Sequence, residues 1–211
     1  MIKIKDMGLN TKKSFLSVLQ KALGLEDYQY IMENVHKVNM SDVNNKDTRK
    51  FRTTYNRFYN VRHKSGNAWY DHYYQVFEKM KHEENNATFE RILNEISIET
   101  VDASFASKML ATLNPDKPIL DSRVLNNFKI TIKGNTKQEK IKSSIEAYKK
   151  IEAEYEEYLP SKEARENIDL FDEIFPEYAR NSNSNAPLIS DIKKIDFIIW
   201  GNDIKPPANK K

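Results

Sequence analysis

Asp121 is the residue of this sequence whose type and position are best suited to chemistry. It lies in the stretch SFASKMLATLNPDKPILDSRVLNNF (residues 104–128), where an apolar segment ends at Asn114-Pro115 and a new element begins after Pro118. An aspartate that precedes a helix accepts hydrogen bonds from backbone N–H groups, and the helix dipole favours its negative charge. A carboxylate held in this way also stabilises a developing cation or orients a water molecule. The sequence therefore indicates either a helix cap or a catalytic carboxylate.

A second set of residues suited to chemistry lies in RKFRTTYNRFYNVRHKSGNAWYDHYY (residues 49–74), which mixes cations with aromatic rings. Arginine and lysine neutralise phosphates, and exposed rings stack on unpaired bases. The alternative is that the rings form two core stripes and the cations form a solvated face, or pair with acidic residues. The cations expected to bind nucleic acid are Arg49, Arg52, Arg57, Arg62 and Lys64, with Arg123 at a phosphate near Asp121.

Charge is distributed unevenly along the chain, although the net charge of +3 is too small to identify a partner. Residues 49–81 contain eight Lys or Arg against two acids, whereas residues 146–177 contain eleven acids against four bases. The acidic helices are expected to be amphipathic and to face solvent, and nothing selects Glu152, Glu156 or Glu163 for catalysis. This uneven distribution of charge is also compatible with a homo-oligomer in which the basic half of one chain contacts the acidic half of its neighbour.

Several kinds of site are excluded by composition. The chain has no cysteine, which excludes disulfides, thiolate metal sites and a cysteine nucleophile, and favours a cytoplasmic location. Its five glycines are too dispersed for a phosphate-binding loop. The four histidines form no HExxH motif and no metal-ligand set, so we expect neither a metal nor a cofactor. They are His36, His63, His72 and His82.

Membrane insertion is not expected. The sequence has no apolar run of about eighteen residues, the length that a transmembrane helix needs. The basic, amphipathic N-terminal segment lacks the continuous apolar core and small-residue cleavage site of a signal peptide.

Helical periodicity extends over almost the whole chain and predicts nine or ten helices in an all-α, compact multi-helix domain. We expect one domain over residues 1–204, a possible sub-boundary near 133–137 and a disordered tail at 205–211. FKITIK (residues 128–133) alone alternates like a strand, or is an extended connector. The apolar stripes predict that five residues are largely buried: Trp69, Phe105, Leu110, Leu125 and Trp200. The segments predicted as helices are 10–24, 28–38, 51–61, 69–80, 89–96, 106–113, 121–128, 141–158, 161–175 and 192–200.

Residues 88–128 resemble the corresponding stretch of helix-hairpin-helix DNA glycosylases of the 8-oxoguanine type. In that family a helix ends in a short Asp-Lys-Pro-like turn, and the catalytic aspartate stands at the start of the next helix. Asp116, Lys117 and Pro118 match the turn, and Asp121 falls at the catalytic aspartate. The resemblance implies a DNA-glycosylase-like helical core and DNA as a partner. A longer likeness, from RTTYNRFYNVRHKSGNAWYDHYY through SFASKMLATLNPDKPILDSRV, is to a group of uncharacterised bacterial proteins and implies no activity.

The chain departs from the glycosylase pattern in its hairpin, in the position of its lysine and in a shorter connection from the turn to the aspartate. The family's Leu-Pro-Gly-Val-Gly-like hairpin, whose amides grip a DNA phosphate, is replaced by ISIETVDASFAS (residues 96–107). Bifunctional members carry a nucleophilic lysine at the start of the helix before the turn, where this chain has Ala-Ser-Phe at 103–105. Lys108 lies about one turn later. We expect it to be a charged helix residue whose amine reaches Asp102, Asp121 or water, and not a Schiff-base nucleophile.

Two classes of function follow from these features. The first is a monofunctional DNA-glycosylase-like hydrolase, in which Asp121 stabilises a cationic sugar or directs water. The second is a non-catalytic helical module that recognises nucleic acid or protein through its basic aromatic face, or an oligomeric interaction protein.

Overall fold

A computed structural model describes residues 1–9, 24–83, 86–179 and 189–202. These ranges contain nine α-helices, two short 3-10 segments (Ile4–Asp6 and Pro176–Tyr178) and no strand, which confirms the prediction of an all-α protein. The helices are α1 (Leu25–Asn34), α2 (Lys46–Phe58), α3 (Asn67–His82), α4 (Phe89–Ile96), α5 (Ala103–Leu113), α6 (Ser122–Phe128), α7 (Lys137–Tyr158), α8 (Lys162–Ile174) and α9 (Asp191–Asn202).

Helix starts are set by side-chain caps that the sequence displays. Thr88, Thr136 and Ser161 each accept a hydrogen bond from a backbone N–H of the first turn of α4, α7 and α8. Thr136 also forms a capping box with Glu139, whose side chain accepts a hydrogen bond from the backbone of the cap. Each bond satisfies a backbone donor that the helix itself leaves unpaired, so these boundaries are well determined.

The core is one contiguous cluster of buried side chains, to which every helix from α1 to α9 contributes. Its aromatic part lies between α2 and α3, where Phe51, Tyr55, Tyr73 and Phe77 have no exposed surface. The hydroxyls of Tyr55 and Tyr73 are hydrogen-bonded at 2.8 Å, which satisfies both polar groups inside the cluster. The cluster includes residues from before and after the predicted sub-boundary at 133–137. The extent of the domain stays a prediction.

Helix packing brings distant parts of the sequence to one place. α4 packs on α3, α5 and α7, and α1 packs on α2. The last helix, α9, packs against both α6 and α8. The packing of α9 on α6 matters most for function, because it sets the C-terminal helix beside the element that begins after Asp121.

Some sequence expectations need correction or fall outside the structure. The second predicted helix spans Leu25–Asn34 instead of 28–38. Residues 130–133, which alternate like a strand in sequence, belong to no helix or strand. Trp69 and Leu110 are buried, and the other three residues expected to be largely buried, Phe105, Leu125 and Trp200, pack against the core and are partly exposed. The helix predicted at 10–24 lies outside the described residues except for Gly24, and the tail at 205–211 lies wholly outside them.

Candidate active site

A cavity of about 360 Å³ lies where α2, α5, α6 and α9 meet. This is within the size range of small-molecule sites, and both aromatic and charged side chains line it. Exposed residues at Asn60 and Ser122 mark its opening to solvent. The lining residues are Phe58, Tyr59, Asn60, Ser104, Lys108, Ile119, Asp121, Ser122, Arg123, Val124, Lys193, Asp196, Phe197 and Trp200.

The turn that carries Asp121 is fixed by hydrogen bonds from three other elements. Ser107 of α5 donates to the Leu120 carbonyl at 3.1 Å, and the Leu120 N–H donates to the Ser107 hydroxyl at 2.9 Å. Tyr148 of α7 donates to the Pro118 carbonyl at 3.1 Å, and Ser190 donates to the Pro115 carbonyl at 2.6 Å. Because these groups are largely buried, the turn has little freedom, and Asp121 is held in one position.

Asp121 is both a helix cap and a wall of the cavity. Its Oδ1 accepts a hydrogen bond from the Val124 N–H at 3.0 Å, which caps α6 as the sequence predicts. Its carboxylate has no other hydrogen bond or ion pair within the part of the chain that the structure describes. Asp121 is half-buried and lines the cavity, so one carboxylate oxygen is available to a ligand while the other is held by the helix.

Lys108 lines the same cavity as Asp121. Burial lowers the pKa of its ammonium group, the Asp121 carboxylate raises that pKa in part, and the charge of Lys193 lowers it further. Its amine has no hydrogen bond or ion pair to a described residue, and its closest ring is that of Phe105, 5.7 Å from the amine. Asp102, which the sequence offered as a partner, instead accepts from Trp69 and Thr100. Lys108 is therefore a buried lysine with a lowered pKa and no described partner for its amine.

Two further charged residues of α9 complete the cavity, and sequence reasoning did not select them. Lys193 and Asp196 are 3% and 4% exposed, and their side chains form an ion pair of 3.3 Å between Nζ and Oδ2. Asp196 Oδ1 accepts a 2.7 Å hydrogen bond from the Tyr155 hydroxyl. Burial raises the pKa of Asp196, while Lys193 and the Tyr155 hydroxyl oppose that rise.

One sequence signal does point to this pair. In DIKKIDFIIW (residues 191–200), Lys193 and Asp196 are three apart within an otherwise apolar helix face. Charges that share a buried stripe are costly unless they are paired, so their spacing is a reason to look for a site.

Arg123 lies over the ring of Trp200, with 4.1 Å between the guanidinium carbon and the ring centroid. Its Nη1 is buried and has no hydrogen-bond partner among the described residues. Trp200 packs against the core and keeps part of its surface exposed where it lines the cavity. A guanidinium with an unused donor beside a cavity suits a phosphate or carboxylate group of a ligand.

The basic aromatic segment separates into two layers. Its aromatic stripes belong to the core, so Phe51, Tyr55 and Tyr73 are not platforms for unpaired bases. Arg52 is largely occupied, because it donates to the Met40 carbonyl at 2.7 and 2.9 Å and to Asp71 at 2.8 Å.

The remaining cations of that segment are exposed at the surface. Arg57 pairs with Asp27 at 2.6 Å but keeps 61% of its side chain exposed, and Arg49 donates to the carbonyls of loop residues 43 and 44. Arg62 and Lys64 are also exposed. The ion partners of Arg52 and Arg57 lie outside the acidic segment 146–177, so these two arginines do not use the acidic half of their own chain.

Metal-ligand clusters and membrane-spanning helices are both absent from the described ranges. No group of three or more His, Cys, Asp or Glu side chains lies close enough there to hold a metal ion. Within the same ranges, no helix combines the length and the apolar character needed to cross a membrane. Glu152, which the sequence did not select, forms an ion pair of 3.0 Å with Lys117.

No family model, curated protein or solved structure matches the chain significantly.

Proposed function

We propose that the cavity at Asp121 binds a nucleoside extruded from DNA and cleaves its base–sugar bond, in the manner of a DNA glycosylase. The observation that carries the proposal is the position of Asp121, whose carboxylate caps α6 with one oxygen and lines the cavity with the rest. A carboxylate fixed in this way stabilises the positive charge that develops on the sugar as the base departs. The sequence resemblance to helix-hairpin-helix glycosylases supports the same assignment.

The cavity supplies the other groups that this reaction needs. Phe58, Tyr59, Phe197 and Trp200 offer aromatic surface on which a base that has left the duplex stacks. Arg123 has a buried and unused donor for a phosphate of the same strand. Asp121, these aromatic rings and Arg123 all line the same cavity.

Lys108 takes part in the chemistry in this proposal, which revises the expectation drawn from the sequence. Its pKa is lowered by burial, so a larger fraction of its amine is uncharged and nucleophilic at neutral pH than for an ordinary lysine. Asp121 is near enough to influence that pKa. The amine either attacks the sugar carbon as the base leaves, forming a covalent intermediate, or acts as a base towards water.

The connection between α4 and α5 supports weaker duplex binding than the family pattern implies. The two helices pack together and are joined by residues 97–102, which contain no glycine and no proline. A backbone grip on a phosphate needs close approach, which glycine allows and larger residues hinder. We therefore propose single-stranded or distorted DNA as the better substrate.

The test is base release from oligonucleotides that each carry one damaged base, in single-stranded and duplex form. We expect the wild type to release at least one base, detected by mass spectrometry, and Lys108→Met to lower the rate. Borohydride trapping then distinguishes the two roles of Lys108, since only the covalent route gives an adduct that Lys108→Met removes.

If the wild type releases no base from any substrate in the panel, the glycosylase proposal fails. The alternative function is then a binding module that uses the same cavity without cleavage, because the cavity and its charges do not depend on turnover.

A further inference from the structure

We infer that Lys193 is a specificity-determining residue of the cavity, and that it selects a planar heterocycle with a carbonyl oxygen at its edge. This inference rests on the proposed function, because it names the kind of heterocycle that binds in the same cavity. It extends that function, because neither the resemblance nor the cleavage chemistry assigns a role to Lys193.

Lys193 has hydrogen-bonding capacity that its described neighbours leave unused. An ammonium group carries three donors. Within the described ranges, one partner is found for them, Asp196 Oδ2 at 3.3 Å. Lys193 is 3% exposed, so bulk water does not take up the others. Because buried donors without a partner are costly, a ligand that supplies an acceptor at this point gains affinity.

The Lys193 amine is also held rigidly. It is flanked by aromatic rings, with its Nζ 4.7 Å from the ring centroid of Phe197 and 5.6 Å from that of Tyr59. Its partner Asp196 is held in turn by the Tyr155 hydroxyl at 2.7 Å. The amine is therefore fixed by a chain of contacts, and a fixed donor discriminates between ligands better than a mobile one.

The cavity wall as a whole offers more donors than acceptors. Three cations, Lys108, Arg123 and Lys193, face two carboxylates, Asp121 and Asp196, and Asp196 is occupied by Lys193 and a tyrosine hydroxyl. The aromatic surface of the wall favours a planar ring, and its donors favour a carbonyl over an amino group at the ring edge.

A buried ion pair on the same helix provides an internal comparison. Lys194 is also fully buried and forms an ion pair of 2.5 Å with Asp172 of α8, but it does not line the cavity. Replacement of a buried ion pair by apolar side chains is often neutral or stabilising, so stability alone gives little reason for the pair formed by Lys193 and Asp196. The position of the Lys193–Asp196 pair at the cavity supplies a reason for it.

The experiment is a titration of the purified protein with free hypoxanthine and free adenine, which differ in carrying a carbonyl or an amino group at the same ring position. The signal is the fluorescence of Trp200, which lines the cavity, and Trp200→Phe identifies its contribution beside that of Trp69. We expect hypoxanthine to bind at least about tenfold more tightly than adenine, since a hydrogen bond to a charged donor is gained.

The variants assign that preference to a residue. Lys193→Met should weaken hypoxanthine binding by about tenfold or more and remove the preference, whereas Lys194→Met should keep it. Because Lys193→Met leaves Asp196 unpaired, Lys193→Met/Asp196→Asn serves as a second variant in which the Tyr155 hydroxyl keeps its acceptor. Circular dichroism establishes that each variant is folded.

The inference is overturned if hypoxanthine does not bind saturably, if adenine binds equally well, or if the preference persists in both Lys193 variants. Free bases have no bond to cleave and need no DNA contact. A protein that shows this preference but releases no base from oligonucleotides would refute the proposed function and leave the role of Lys193 intact.

Discussion

Asp121 and Lys108 define the candidate site at the scale of single residues. Asp121 Oδ1 is committed to the Val124 N–H, and the rest of the carboxylate faces a cavity that also contains the Lys108 amine. The two functions of Asp121, capping and chemistry, are separable because an amide oxygen accepts the capping bond as well as a carboxylate does.

The first prediction concerns the stability of Asp121 variants. Asp121→Asn keeps the cap and loses the charge at the helix N-terminus, so it should lower the free energy of unfolding by less than about 1 kcal/mol. Asp121→Ala loses both and should cost about 1 kcal/mol more than Asp121→Asn. Urea denaturation measures both values. Global unfolding of Asp121→Asn would mean that the charge itself is required for folding.

The second prediction concerns the pH dependence that Lys108 brings to stability. Burial lowers the pKa of Lys108 in the folded state below its ordinary value of 10.5. The unfolded chain therefore binds more protons than the folded chain between the lowered pKa and about 10.5, and in this window Lys108 makes stability rise with pH.

Lys108→Met removes this contribution and keeps a side chain of similar length. At pH 7 we expect Lys108→Met to be at least as stable as the wild type, with the difference shrinking towards about pH 10. Burial also raises the pKa of tyrosines such as Tyr55 and Tyr73. Their contribution to the pH dependence of stability is the same in both proteins. Equal pH profiles for the two proteins would show that the Lys108 amine is not perturbed.

Sequence reasoning reached Asp121 but not its surroundings, for a physical reason. A cap is a local feature, readable from an aspartate followed by an apolar helix and preceded by a proline turn. The cavity needs α9 against α6, an arrangement of residues more than sixty positions apart, and no local pattern encodes it. Lys193 and Asp196 were therefore seen only as part of a helix.

At the scale of elements, α2 divides its residues between core and surface. Its buried rings Phe51 and Tyr55 contact Phe77 and Tyr73 of α3, whereas Arg49 and Arg57 are exposed. The stripe spacing predicted this arrangement, and helix type and caps were likewise predictable from local sequence. Which cations are free was not predictable, because the partners of Arg52 and Arg57 come from the loop before α2, from α3 and from α1.

The third prediction separates these cations in DNA binding. Changing Arg57, Arg62 and Lys64 together to Ala should weaken binding and reduce the slope of log affinity against log salt, by about one for each phosphate that the variant no longer neutralises. Fluorescence anisotropy of labelled DNA at two salt concentrations measures both effects. Arg52→Ala should instead lower stability, since it breaks bonds to the Met40 carbonyl and to Asp71.

A matched control removes three exposed cations from another part of the chain: Lys140, Lys150 and Lys162. This control carries the same change in net charge as the test variant. If both triple variants weaken DNA binding equally, that binding reflects net charge alone and the surface that carries Arg57, Arg62 and Lys64 is not a specific binding surface.

At the scale of the whole molecule, α9 closes the structure over the candidate site. It contributes Lys193, Asp196, Phe197 and Trp200 to the cavity and is tied to α8 by the ion pair between Lys194 and Asp172. Loss of this connection should therefore lower the stability of the fold.

The fourth prediction tests that connection. Lys194→Ala removes the ion pair with Asp172, whose side chain is 22% exposed, and leaves a space in the core, so it should lower the free energy of unfolding by about 2 kcal/mol or more. Lys194→Met also removes the ion pair but fills the space, so it should cost less than Lys194→Ala. Thermal and urea denaturation provide the comparison, and equal stability of Lys194→Ala and the wild type would show that α9 is not anchored through this pair.

The central claim, that the cavity at Asp121 is a catalytic site, is tested most directly by the rate of base release from a damaged oligonucleotide under single-turnover conditions. The matched pair of variants is Asp121→Asn and Asp116→Asn. Asp121→Asn removes a negative charge in the cavity, and Asp116→Asn removes one on the exposed turn before α6. The account predicts that Asp121→Asn stays folded and loses at least about a hundredfold in rate, as expected when one preorganised charge is removed, while Asp116→Asn keeps wild-type activity. A folded Asp121→Asn that releases base at the wild-type rate would contradict it.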